Sequence, residues 1–252
     1  MTTVLDIYNY IDSFAPFETA ESYDNVGILV GDKNQTVSKA LVSLDITREV
    51  VREAEELGAQ VIISHHPVIF NPLKQLAFDS VPALLVKCGI TALSAHTNLD
   101  KSAEFGVNTT LAEAIDLTDC TVCENNEILF IADTKLPLTA EKFADNIKNG
   151  LNCESVAYTK SNNTISKVGL CSGAGGSEVF SAIENGCDAF VTGEIKHHEL
   201  LAANESGMAI FSVGHYKSED VVINPLVEKL SGYFEDVCFV KSQVFSDGVN
   251  FL

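Results

Sequence analysis

All six histidines fall in four short polar patches, and three of the four hold acidic residues. The patches are Ser64-His65-His66-Pro67, Ala95-His96-Thr97-Asn98-Leu99-Asp100, the segment Gly193-Glu194-Ile195-Lys196-His197-His198-Glu199, and Gly214-His215-Tyr216-Lys217-Ser218-Glu219. Imidazole with carboxylate is the ligand set of Zn, Fe, Mn and Ni centres. Histidines scattered for packing or solubility would not sort this way. The pattern points to a metal site assembled from distant parts of the chain.

Each patch has a geometry of its own. On an extended backbone His65 and His66 point to opposite sides, so they do not easily share one ion. Two neighbouring ions, one per imidazole, would resolve that. Pro67 biases His66 to an extended conformation. Asp100 lies four residues past His96, and a carboxylate can bridge two cations where an imidazole cannot. His215 and Glu219 are also four apart. In one helix they share a face. With Ser218 as N-cap, Glu219 would open the helix and His215 would sit in the loop before it. The bland reading is an ordinary helix start with an acidic first turn. Ser172-Gly173-Ala174-Gly175-Gly176-Ser177 is neither a Walker A nor a complete dinucleotide fingerprint. A tight turn with close backbone packing is expected there, with phosphate contact as the minority reading.

These patches need elements to carry them. Val4 to Phe14 reads as a helix capped by Thr2 or Thr3. Strands are expected at 40–44, 61–63 and 90–94, with helices 47–57 and 81–87 ended by Gly58 and Gly89. A helix follows over about 107–115. The second half gives strands at 128–132, 155–159, 167–171, 189–192, 209–213 and 237–240. Its helices fall at 139–151, 178–184, 197–203 and 220–234. Asp116 to Glu127 shows no clear period and reads as a domain junction. The alternation implies α/β architecture with largely parallel sheets. All four histidine patches follow a strand, where such sheets gather functional groups.

The 252 residues are 46% hydrophobic, enough for a substantial core, and carry a formal net charge of -19. That charge repels phosphate backbones and anionic lipids, so no general nucleic-acid binding and no membrane partner are expected. The N-terminus lacks a signal-peptide pattern, and no run approaches the roughly 18 apolar residues of a membrane span. Seven dispersed cysteines read as reduced thiols in a cytoplasm. Cys120-Thr121-Val122-Cys123 has no second pair, so buried or loop thiols are the default reading, ahead of a redox or metal role.

At this point the chain resembles the GTP cyclohydrolase I type 2 family, also called the Nif-three-like family. Five ordered motifs carry the resemblance: Ala20-Glu21-Ser22-Tyr23-Asp24-Asn25-Val26-Gly27, Ser64-His65-His66-Pro67-Val68-Ile69-Phe70, Ala95 to Asp100, Gly193-Glu194 with His197-His198, and Gly214 to Glu219. Tyr23 stands where the family usually has Trp, and Lys101 to Gly106 departs from its small-residue stretch. The length matches the family's short form. The resemblance implies a dinuclear centre, two divalent metal ions per subunit, with ligands His65, His66, Asp100, His215 and Glu219. Glu219, with Asp100, would bridge. It also implies two α/β domains facing a shared metal-containing cleft, taken here as 1–120 with 216–252 and as 121–215, and a homohexamer. His96, His197, His198 and Glu194 would line the cleft or stand behind the ligands.

The expected function is a cytoplasmic metal-dependent hydrolase of a small, nucleotide-like molecule. His96, His197 or His198 would be its catalytic proton carrier. The reading from another class is a non-catalytic metal-binding or metal-handling scaffold that acts through a partner. A third is a plain α/β domain without metal.

Overall fold

The computed structural model describes residues 1–249. Along the chain run α1 (Val4–Phe14), β1 (Gly27–Val30), β2 (Lys39–Ser43), α2 (Arg48–Leu57), β3 (Val61–Ser64), α3 (Val81–Cys88), β4 (Thr91–Ser94) and α4 (Thr97–Asp100). Next come α5 (Val107–Ala114), β5 (Leu117–Cys123), β6 (Asn126–Leu138), α6 (Ala140–Gly150), β7 (Ala157–Tyr158) and β8 (Ile165–Cys171). The chain continues through α7 (Val179–Glu184), β9 (Ala189–Thr192), α8 (His197–Ser206), β10 (Ala209–Ser212), α9 (His215–Glu219), α10 (Ile223–Tyr233) and β11 (Cys238–Lys241). It divides into two compact α/β units.

The first unit is Met1–Glu104 with Ile223–Ser246. Its sheet has the order β1-β4-β3-β2-β11, parallel throughout except for the edge strand β1. All four residues of β3 and of β4 are buried, as strands covered on both faces require. The helices end where local chemistry ends them. Thr47 Oγ1 accepts from Val50 N at the start of α2. Gly58 and Gly89 close α2 and α3 in the left-handed conformation, φ 66° and 67°. Val50, Val51, Ala54 and Leu85 pack with Leu41, Ile62 and Ala92 into one apolar cluster.

The second unit is Phe105–Val222 with the described residues from Asp247 on. Its sheet is mixed, in the order β5-β6-β8-β9-β10-β7. β8, β9 and β10 run parallel, whereas β5, β6 and β7 join antiparallel. On one face Val168, Leu170, Val191 and Phe211 pack with Leu111, Phe143 and Ile147. On the other, Cys171, Phe190 and Ile210 pack with Val179, Ala182 and Ala203. Helices therefore cover both faces, which is why its central strands read as unbroken apolar runs.

The chain passes between the units at 104/105, 222/223 and 246/247, where the sequence placed the divisions at 120/121 and 215/216. The stretch 116–127, which the sequence gives as a periodless junction, is β5 and its turn into β6. Asp116 and Asp119 have positive φ (65° and 53°), and the β5–β6 register shifts between Thr118 and Thr121. A bulge of this kind breaks the two-residue alternation that marks a strand. The expected helix at 220–234 is a 3-10 turn followed by α10.

Cys120 and Cys123 lie three apart on β5, and their side chains go to different apolar clusters on opposite faces of the sheet. They cannot pair without breaking the strand. Burial, with Glu113 nearby, pushes the Cys120 thiol up to about 11, which leaves little nucleophilic thiolate. No helix among the described residues is long and apolar enough to cross a membrane.

Candidate metal centre

Three neighbouring parallel strands of the first unit end at one level. Ser43, Ser64 and Ser94 face one another in register and are buried. Just past that level lie Asp45, His65, His66 and His96. The turns are laced together: Ser94 Oγ donates to His65 O at 2.8 Å, and Ser64 Oγ to His66 O at 2.7 Å.

β3 stops at Ser64, so the two-residue alternation stops before the histidine pair. This corrects the expectation that His65 and His66 diverge. Their ring centroids are 5.1 Å apart, and His96 lies 5.1 and 5.5 Å from them. Each of the three offers one ring nitrogen within 4.8 Å of the others. His96 therefore stands among the group that could hold an ion, whereas of these three histidines the family resemblance implied only His65 and His66 as ligands.

Each imidazole is held by its Nδ1. His65 Nδ1 lies 2.9 Å from Ala95 O, His66 Nδ1 2.9 Å from Asp45 Oδ1, and His96 Nδ1 2.9 Å from Asp24 Oδ1. Carbonyl and carboxylate oxygens only accept, so Nδ1 must donate and the lone pair of the neutral ring falls on Nε2. Asp24 also accepts from Thr97 N at 3.1 Å and from Thr97 Oγ1. Burial pushes the Asp24 carboxyl up, but the His96 and Thr97 hydrogen bonds outweigh it and hold it well below the ordinary carboxylate range. Asp100 closes α4, the single turn after His96, and is buried. Its Oδ1 lies 3.6 Å from His65 Nε2.

The second unit repeats the arrangement. β10 ends at Ser212, and α9 begins at His215. His215 and Glu219 share one helical turn, the first of the two geometries their spacing allowed. His215 Nδ1 lies 2.8 Å from Glu194 Oε1, and its Nε2 lies 3.0 Å from Glu219 Oε2. A neutral ring donating through Nδ1 would turn its Nε2 lone pair on a carboxylate oxygen, which is repulsive unless a cation lies between them. Two ligands at about 2.1 Å on one ion stand roughly 3 Å apart, so the spacing suits a shared metal. Borderline imidazole nitrogen together with hard carboxylate oxygen is a donor set that Zn, Fe, Mn and Ni accept.

The glycine turn serves this pair. Gly173 has φ 56°, and a Cβ there would fall 2.0 Å from Glu219 Oε1 and 3.2 Å from His215 Nε2. Its N–H donates to Ser218 Oγ at 2.9 Å, and Ser218 Oγ donates to His215 O at 2.8 Å. Gly175 and Gly176 make room for Cys171 Sγ and for Glu194 O. Close packing accounts for the turn, the reading the sequence favoured.

His197 and His198 are exposed in the first turn of α8. Among the described residues, neither belongs to a cluster of three ligand-type side chains. His198 Nε2 lies 3.8 Å from Glu199 Oε1, and Glu199 Oε2 accepts from Lys196 N as a helix cap. Asp45 and Asp24 received no role from the sequence. Asp45 did carry a signal, since it follows the apolar end of β2 as His65 and His96 follow β3 and β4.

A family model described as Duf34/NIF3 (NGG1p interacting factor 3) matches residues 2–248. A Clostridium perfringens protein bearing the name GTP cyclohydrolase 1 type 2 homolog is 30% identical over 259 residues, covering 98% of each chain. A Campylobacter jejuni protein of the same name is 31% identical over 219 residues, 85% of this chain and 86% of that one. The crystal structure of Staphylococcus aureus protein SA1388 matches with a TM-score of 0.91 at 28% identity, over 100% of this chain and 99% of that one.

Proposed function

The chain belongs to the Duf34/NIF3 family, and we propose that it is a metal-dependent hydrolase of a small, nucleotide-like substrate. His65, His66, Asp100, His215 and Glu219 would hold two divalent metal ions. The observation that carries this reading is the common anchoring of four imidazoles, each fixed through Nδ1 by a carboxylate or carbonyl, the tautomer that puts the ring's lone pair on Nε2. Bound divalent metal would supply a water acidic enough to attack near neutral pH and a positive seat for an anionic or carbonyl oxygen.

The chain's own residues supply the rest. Asp45 and Glu194 hold His66 and His215 in the binding tautomer. Asp24 holds His96 beside His65 and His66, where His96 can take or return a proton at Nε2. The proton role expected of His197 and His198 has less support, because both stand exposed at the start of α8. The names of the relatives favour a nucleotide-like substrate. Work in the cytoplasm, as a homohexamer, completes the proposal on the strength of the family resemblance.

The test is metal analysis of the washed protein beside His66→Ala and Glu219→Ala, with turnover measured on a panel of nucleotides and phosphoesters. Bound metal in the parent protein and its loss from both variants are expected. Full metal content without turnover of any panel member would refute the hydrolase and favour a metal-handling protein.

A further inference from the structure

Two aromatic rings stand in water beside the histidine cluster of the first unit. Tyr23 is 63% exposed and Phe70 43%. Their centroids are 6.5 Å apart and tilted by 54°, and Phe70 meets His96 edge-on at 6.3 Å. Both rings sit on anchored backbone. Val68 and Ile69, just before Phe70, pack against the core of the unit. Asn25 Nδ2 donates to Ile69 O, tying the two segments together. Asp24, next to Tyr23, is bound to His96 and Thr97.

Anchored, exposed aromatic faces next to reactive groups are what a planar ligand needs. Stacking requires no hydrogen-bond partner and is strongest with another ring. With the two rings inclined by 54°, a planar ligand would stack on one face and meet the other edge-on, both favourable arrangements for aromatic rings. The carboxylates of Glu21, Asp24 and Asp100 lie near Tyr23, with Lys101 paired to Glu21 at 2.7 Å. Carboxylates in excess of lysine favour a neutral ring with N–H edges over an aromatic carboxylate. We propose that Tyr23 and Phe70 form the ring-binding part of the substrate site, holding a neutral heteroaromatic ring of the nucleobase kind beside His96. This names the ring partner within the nucleotide-like substrate class and rests on that reading of the site.

The experiment is equilibrium dialysis of the metal-loaded full chain with guanosine, adenosine and ribose 5-phosphate. The parent protein is compared with Tyr23→Ala, Phe70→Ala, Tyr23→Phe and the double alanine variant. Both nucleosides should bind the parent. Each alanine variant should bind them about 10-fold more weakly, and the double variant more weakly still. Tyr23→Phe should keep parental affinity, and metal content should be the same in all variants. Ribose 5-phosphate affinity should not change. Absence of nucleoside binding by the parent, or equal nucleoside affinity in the parent and the double variant, overturns the proposal. So does a change of oligomeric state with unchanged affinity, which would assign the rings to a second copy of the chain. Nucleosides held through Tyr23 and Phe70, with no turnover of any member of the nucleotide and phosphoester panel, would refute the hydrolase and leave the ring-binding site standing.

Discussion

Replacing Gly173 by alanine separates packing at the site from ordinary backbone strain. Two effects add. At φ 56° a side chain costs about 1–2 kcal/mol, because Cβ crowds the following carbonyl. The new Cβ would also fall 2.0 Å from Glu219 Oε1, inside the 3.0 Å that real contacts keep, so the carboxylate must retreat by about 1 Å. Metal sites tolerate errors of roughly 0.2 Å in ligand position. The displaced oxygen should therefore weaken metal binding about 10- to 100-fold, the range seen when a ligand loses its support. Gly58→Ala is the control. It has φ 66° and nothing within 4 Å of the new Cβ, so it bears the strain without the collision. Both variants should lose roughly 2–8 °C of metal-free Tm. Competition with a chromophoric chelator should show weakened metal binding in Gly173→Ala alone. Parental metal affinity in Gly173→Ala would refute the claim that this glycine seats Glu219.

Asp45→Asn and Glu194→Gln replace the acceptors that hold His66 and His215. Each should lower metal affinity about 10- to 100-fold with little change in secondary structure, read by the same competition and by circular dichroism. Unchanged affinity in both would show that the anchoring is incidental. Asp24 is held below its ordinary value of 3.8, so its contribution to stability is present above that pH and is lost as pH falls through the lower folded value. In urea titrations the gap between the parent and Asp24→Asn should hold from about pH 7 to about pH 5 and narrow below about pH 4. A gap that closes near pH 6 would point to another group. Alkylation at about pH 8, read by mass spectrometry, should label exposed Cys238 first. Cys120 and Cys187, both pushed up to about 11 by burial, should resist while the chain is folded. Early labelling of Cys120 would contradict its place on β5.

The elements that carry the site were readable where a local rule ends them. Thr47, Gly58 and Gly89 mark helix ends because capping and left-handed turns depend on a few adjacent residues. The histidine patches were readable because each follows a strand. The pairing of His66 with Asp45 was hidden, since it joins residues of two strands that meet only in the sheet. The convergence of His65 and His66 was hidden for a smaller reason. The alternation of a strand holds only while the strand lasts, and β3 stops one residue before His65. β5 was lost because two aspartates with positive φ interrupt its period. Gly173 is obvious as a glycine, but its service to Glu219 depends on a helix more than forty residues further along the chain.

The level of Ser43, Ser64 and Ser94 has a consequence for how this chain can vary. Asp45, His65, His66 and His96 are each counted off, by one or two residues, from a register that three strands share. Apolar substitutions inside those strands leave that count untouched, so their sequences can drift while the site persists. An insertion or deletion of one residue within a strand shifts the count and turns every following side chain to the other face. Length variation in the first unit should therefore fall in the connections that leave β2, β3 and β4 at their full length, and engineered insertions should be tolerated there first.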